Sequence, residues 1–352
     1  MENEVFVIED GVIKAVTDYG KTLTEIVIDK SVTDIEGNVF FDCTNLRSVK
    51  FEKGSKLEFL GEVFSGCENL TQIELPSSLK SICQLAFNGC EKLESIFIPK
   101  SVDYIDTYAF NACFSLKSIE VEENNKYYKS VDGNLYSDDG KILFLYAYGK
   151  NESDFTIPSG TEIISNMAFY YCKNLNHLTI PSSLEIVEDF FKAPNMKINL
   201  SLNDPRLNLK SKIPKIYSIG GCIGLNQIEV STDNENFTSI DGNLYSKDET
   251  VLIKYSPDKK DKTFVVPSSV KIITDNAFEY STQLTSVEFE EGSNLEIIGE
   301  NAFSNCLNLE KIAFEDAKKL TFVCSGAFSN CPKIDKAKIN KKILGISDAF
   351  DD

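Results

Sequence analysis

Along this chain one apolar phrase returns again and again, L-x-x-I-x-I/V/F, with its apolar residues at positions 1, 4 and 6. Leu70-Thr71-Gln72-Ile73-Glu74-Leu75 is followed by Leu93-Glu94-Ser95-Ile96-Phe97-Ile98. Further copies start at Leu46, Leu116, Leu175, Leu225, Leu284 and Leu309, and Leu23 and Ile334 open the outermost ones. Side chains alternate along a strand, so positions 4 and 6 share a face. The phrase therefore predicts a short strand whose positions 1, 4 and 6 point inward and whose positions 3 and 5 point out.

A second block follows each strand, as in Ala86-Phe87-Asn88-Gly89-Cys90. Its phenylalanine falls at 40, 64, 87 and 110, steps of 24, 23 and 23. The next copy is Phe169, 59 residues on; Phe278, Phe303 and Phe328 are spaced by 25. Such a period marks a stacked-repeat architecture. Pro76, Pro99, Pro158, Pro181 and Pro267 end strands, because proline has no N–H for a ladder. The return segment Ser77–Ile82 is expected to add Leu79, Ile82, Phe87 and Cys90 to the interior. A single coil buries too little to stand alone, so neighbours must share ladders and core.

A longer duplication overlies the repeat. Asp132-Gly133-Asn134-Leu135-Tyr136-Ser137 recurs as Asp241-Gly242-Asn243-Leu244-Tyr245-Ser246, an offset of 109. The same offset links Leu116 to Leu225, Cys113 to Cys222 and Phe169 to Phe278. Strand-like residues 141–146 and 251–255, with turns at Asp138-Asp139-Gly140 and Lys247-Asp248-Glu249, predict two β-hairpin insertions. Asp10-Gly11-Val12-Ile13 resembles the start of the same module. The expected organisation is an N-terminal cap or hairpin over 1–22, repeats over 23–120, a hairpin insertion over 121–157, and repeats over 158–229 with an irregular coil near 189–221. A second hairpin insertion over 230–266 and repeats over 267–352 complete one continuous solenoid of about ten coils.

The phrase from Leu70 to Leu93, L-x-x-I-x-L-P-x-S-L-x-x-I-x-x-x-A-F-x-x-C-x-x-L, resembles the leucine-rich repeat of BspA-like surface antigens. The D-G-N-L-Y insertions over 132–158 and 241–267 are similar to modules of that family. The resemblance spans roughly residues 20–350. It implies a right-handed, curved leucine-rich-repeat solenoid, mainly β, with a parallel sheet on the concave face and short strands or helical turns on the convex side. It also implies adhesion or host-protein binding at a cell surface or after secretion. The segment Met1-Glu2-Asn3-Glu4 is acidic where a signal peptide is basic, and no apolar run is long enough to span a membrane. A cytoplasmic scaffold for protein–protein interaction is therefore the alternative.

Charge narrows the partners. A net charge of −18 over 352 residues repels phosphate-rich nucleic acid and anionic lipid, and suits a basic partner. Another protein or a cell-surface component is the expected ligand, with no cofactor.

Positions 3 and 5 form the expected concave binding face: Gln72, Glu74, Ser95, Phe97, Ser118, Glu120, His177, Thr179, Gln227, Glu229, Ser286 and Glu288. Glu25, Val27, Ser48, Lys50, Lys311, Ala313, Lys336 and Lys338 hold the same positions toward the ends. Phe97 is expected to be the one large apolar residue exposed there, and so the anchor, since aromatics dominate interface energy. His177 is the sole histidine of the chain. A triad or a histidine-based metal site would have to be built around it, and neither Asn176 nor Thr179 looks like a partner. The reading is therefore not an enzyme.

Eight of the ten cysteines, Cys43, Cys67, Cys90, Cys113, Cys172, Cys222, Cys306 and Cys331, share one repeat position. Stacking would bring them close enough to suggest disulfides or thiolate metal binding. Zinc spacing is missing, and a ladder of free buried thiols is expected. Cys83 and Cys324 share another position with Gly61 and Gly299 and are expected to be more exposed and reactive. Tyr127, Tyr128, Tyr136, Tyr146 and Tyr148 read as packing over the solenoid edge, with a contact surface as the alternative. Among the sequons, Asn69 reads as structural, while Asn151 and Asn236 are candidates for glycan.

Overall fold

The computed structural model describes residues 4–41, 43–165, 167–187, 222–335 and 348–350. The irregular coil expected near 189–221 and the outward lysines Lys336 and Lys338 lie outside the described residues. The chain is a β-solenoid of about 12 turns, divided into two compact units, residues 1–150 and 151–352.

In the first unit a hairpin, Phe6–Glu9 with Val12–Val16, leads into a short helix, Asp18–Thr22, whose N-cap Thr17 accepts the Gly20 N–H. The repeats then stack as parallel strands. Glu25–Ile28, Ser48–Phe51 and Gln72–Glu74 pair in the register Glu25, Ser48, Gln72. Ser95–Ile98 pairs with Ser118–Val121 in the register Ser95, Ser118. A second parallel wall, Phe59–Leu60, Ser81–Ile82 and Tyr104–Ile105, forms from the return segments. In the second unit Asp154–Thr156, His177–Ile180 and Gln227–Val230 form one open-face sheet. Thr263–Val266, Ser286–Phe289 and Lys311–Ile312 form another.

The expected interior is observed: Leu79, Ile82, Phe87 and Cys90 are fully buried. The phenylalanines stack turn upon turn, with ring centroids 5.8 Å apart from Phe64 to Phe87 and 5.5 Å from Phe87 to Phe110. In the second unit Phe278, Phe303 and Phe328 follow at 4.6 and 5.4 Å. Backbone bonds step the same way, Phe64 N–H to Ala86 carbonyl at 3.0 Å and Phe87 N–H to Ala109 carbonyl at 2.8 Å.

The turn count exceeds the expected ten because each insertion is itself a turn. It is a three-stranded meander, Tyr128–Val131, Asn134–Ser137, Ile142–Leu145, repeated as Phe237–Ile240, Asn243–Ser246, Val251–Lys254. In the second unit its last strand pairs in parallel with Ile272–Ile273, as a repeat strand does. Tyr255 then takes the ladder phenylalanine's place. Its ring stacks 5.0 Å from Phe278, and its N–H donates to the Ala277 carbonyl at 2.9 Å. Tyr146 stands 109 residues before Tyr255, at the same place in the first module, and is likewise buried.

Asp-Gly supplies the first turn of each meander. Asp132 and Gly133 have φ of 50° and 72°, Asp241 and Gly242 of 48° and 71°, the left-handed pair that a two-residue hairpin turn demands. The turn also closes the open-face sheet. Ile119 N–H donates to the Gly133 carbonyl at 2.8 Å, and Ile228 N–H to the Gly242 carbonyl at 2.9 Å. A Cβ on Gly133 would lie 3.2 Å from Ser118 Oγ.

Candidate functional site

The twelve outward residues fall on separate sheets. In the first unit Gln72 and Glu74 stand exposed on one strand, and Ser95, Phe97 and Glu120 on the next pair, where Ser118 is half-buried. Phe97 is 54% exposed and stands in register with Glu120. Glu74 holds the same position one turn earlier, where Lys50 pairs with it at 2.8 Å. The Ser118 hydroxyl donates to Glu120 Oε1 at 2.5 Å. In the second unit His177 and Thr179 stand in register with Gln227 and Glu229, and Gln227 Nε2 donates to Glu229 Oε1 at 2.7 Å. Ser286 and Glu288 are half-buried on the strand between Val265 and Lys311.

Three expectations are corrected here. Phe97 is not alone, because Val27 and Val265, at position 5 of their own strands, are 59% and 46% exposed. Ala313 does not face out but is buried. Its strand stops at Ile312, and Phe314 N–H turns back to the Ile312 carbonyl at 2.9 Å, which rotates Ala313 inward. His177 does have a partner. Its Nδ1 lies 2.6 Å from Asp154 Oδ1, one strand earlier in register. Asp154 escaped the motif because its strand, Asp154-Phe155-Thr156, follows the module and lacks the leading leucine. Both side chains are exposed. The Asp154 carboxyl is held below its usual range, first by the Ser153 hydroxyl and then by the His177 ring.

The cysteine ladder is built from free thiols. Cys67, Cys90 and Cys113 donate to the carbonyls of Phe40, Phe64 and Phe87, each at 3.2 Å. Cys306 does the same to Phe278 at 3.1 Å. Burial pushes the Cys90 and Cys113 thiols well above their ordinary value, so they are poor thiolates. Cys324 is buried rather than exposed. Cys83 is half-buried and its thiol is pushed up by burial and then by Asp106, against the reactivity expected of it. Among the described residues, no group of three or more His, Cys, Asp or Glu could hold a metal ion.

Of the five module tyrosines only Tyr127 is exposed; Tyr128, Tyr136, Tyr146 and Tyr148 are buried, so packing accounts for four of them. Asn69 is structural as expected, its amide donating to the Thr44 carbonyl at 2.7 Å. Asn151 and Asn236 are exposed.

Two polar features carry no periodic signal of their own. Lys254 is buried, its ammonium 2.8 Å from the Asn276 carbonyl. Burial pulls its basicity down, opposed by nearby Glu279. Leu145 stands at the same place in the first module, 109 residues earlier. Asn125 and Asn234, also 109 apart, each tie the module to the preceding repeat. The Asn125 amide donates to the Pro99 and Val102 carbonyls at 3.2 and 2.9 Å, and its oxygen accepts the Tyr127 and Tyr128 N–H groups.

The BspA-type leucine-rich repeat region matches in 6 copies over residues 13–133, 144–258 and 255–351. No curated protein matches the chain. Among solved structures, a leucine-rich repeat protein from Eubacterium ventriosum is 19% identical, with 94% of this chain and 90% of that one covered and a TM-score of 0.53. The pneumococcal vaccine antigen PcpA is 23% identical over 87% of this chain, with a TM-score of 0.38, and the match spans 54% of its length. A leucine-rich cell surface protein from Faecalibacterium prausnitzii is 22% identical, covering 82% and 78%, with a TM-score of 0.45. Among the described residues no helix is long and apolar enough to cross a membrane.

Proposed function

Because the chain belongs to the BspA-type leucine-rich repeat family, we propose that it is a non-enzymatic binding protein that engages a partner protein through the open face of its parallel strands. The observation that carries this reading is Phe97. Its ring is half-exposed on a strand whose inward residues, Ile96 and Ile98, are fully packed. The exposed half of the ring gains nothing within the chain, whereas burying it against a partner gives about 1–1.5 kcal/mol. Glu74, Ser95, Ser118 and Glu120 form the polar rim that a protein interface needs. In the second unit His177, Thr179, Gln227, Glu229, Ser286 and Glu288 offer a surface of the same kind.

Names of related structures agree with this reading: one is a vaccine antigen and another a cell surface protein. A location at a cell surface or outside the cell is part of the proposal. The test is capture of partners from the organism's surroundings by the intact protein and by Phe97→Ala. The variant should lose binding while its melting temperature stays within a few degrees. Retained binding by a folded variant overturns the assignment of the face.

A further inference from the structure

The surroundings of Phe97 say what kind of group it meets. The ring stands in register with Glu120 on the next strand, about 4.8 Å away at the backbone. On the other side Glu74 holds the same position one turn earlier. The ion pairs described in this part of the chain join Lys50 to Glu74, Lys117 to Glu94 and Lys100 to Glu122. They leave Glu120 with the Ser118 hydroxyl, which fixes its carboxylate at 2.5 Å. An exposed ring is thus set beside the anchored Glu120 carboxylate, with Glu74, already paired with Lys50, at the same position one turn back.

An apolar partner residue laid on this ring would strip water from the Glu120 carboxylate and return no hydrogen bond, a costly loss for a charged group. A guanidinium avoids that loss. Its plane stacks on the ring face, and its edge carries N–H donors in the geometry a carboxylate accepts. The net charge of −18 draws a cationic segment toward the surface.

Resting on the binding reading above, we infer that Phe97 and Glu120, with Glu74 beside them, form a seat for an arginine side chain of a basic, extended segment of the partner protein. The ring takes the guanidinium face, Glu120 takes one pair of N–H groups, and Glu74 faces the far edge.

The test uses the full chain and three nine-residue glycine-serine peptides that carry three arginines, three citrullines or three leucines. Citrulline keeps the shape of arginine and removes the charge. Binding followed by fluorescence anisotropy should favour the arginine peptide over the citrulline one by about tenfold. Phe97→Leu and Glu120→Gln should each weaken the arginine peptide several-fold, and Glu123→Gln, outside this strand face, should not. Equal binding of the arginine and citrulline peptides overturns the inference, as does indifference to Glu120→Gln in a variant of unchanged melting temperature. A leucine peptide that binds best and is lost in Phe97→Ala would overturn the arginine seat and leave the binding face standing. If Phe97→Ala changes no peptide and no captured partner, both fail.

Discussion

Cys90 donates its thiol proton to the carbonyl of Phe64, one turn back, across 3.2 Å. The same carbonyl accepts the Cys67 N–H, also at 3.2 Å, so both oxygen lone pairs are engaged. The thiol here is an inter-turn hydrogen-bond donor that is small enough to lie under the phenylalanine stack. Cys90→Ala removes the donor and leaves a small void, and should cost about 1–2 kcal/mol in urea unfolding. In the native protein the ladder thiols should resist a thiol reagent, and all ten cysteines should react once the chain is unfolded. Three or more disulfides found by mass spectrometry of the native protein would count against the free-thiol ladder.

Asn125 satisfies two carbonyls and two N–H groups in a buried position. Asn125→Ala takes this partner from the Val102 carbonyl and the Tyr127 and Tyr128 N–H groups, while the Pro99 carbonyl keeps the Val102 N–H at 3.1 Å, and the expected loss is about 3 kcal/mol. Asn125→Asp keeps the acceptor but places a carboxylate against two carbonyls, and should be no better tolerated. Differential scanning calorimetry of the two variants measures both effects.

Lys254 makes the opposite case. Its ammonium is buried, and its basicity is lowered in the folded state. Folding therefore discriminates against its protonated form at neutral pH. That penalty fades as pH rises through the window between the lowered value and the ordinary lysine value of 10.5, because the unfolded chain binds more protons there. Lys254→Leu copies the residue that the first module uses and removes a buried charge. The variant should melt no lower than the parent near neutral pH. Its advantage should shrink as the pH is raised toward the ordinary lysine value of 10.5, and a loss of several degrees at pH 7 would contradict this account.

Asp154 responds to two neighbours of unequal weight. Ser153 is the larger cause of its lowered value and His177 the second. Ser153→Ala should therefore raise the Asp154 titration midpoint further than His177→Ala, as followed by carboxyl carbon NMR. A carboxyl lowered in the folded state contributes stability above its unfolded value, and that contribution disappears as pH falls through the folded one. Both variants should flatten the acid limb of the stability curve. The change should be small, because the group is fully exposed.

Much of this was legible in the sequence because a solenoid turns spacing into position. Leu79, Ile82, Phe87 and Cys90 were placed by period alone and lie where period puts them. What period missed is informative in the same way. Asp154 sits on a strand whose end Pro158 marks but which lacks the repeat's first leucine, so its outward positions were left unassigned. Tyr255 does the work of a phenylalanine under a different local sequence, and a module that completes a turn therefore looked like an excursion from one. Ala313 faces inward because its strand stops at Ile312, and strand length is set by packing rather than by pattern. Lys254 has no signal at all, since its partner is a backbone carbonyl.

The tyrosine that completes each module also bears on how such an array changes length. Residues 109 apart, such as Asp132 and Asp241 or Asn125 and Asn234, stand at the same phase of the winding and use the same bonds. A segment cut at equivalent points can be gained or lost by recombination with every donor at the seam still meeting an acceptor. Length variation among relatives should then come in whole cassettes, and the open faces that meet partners can multiply without any new core having to be invented.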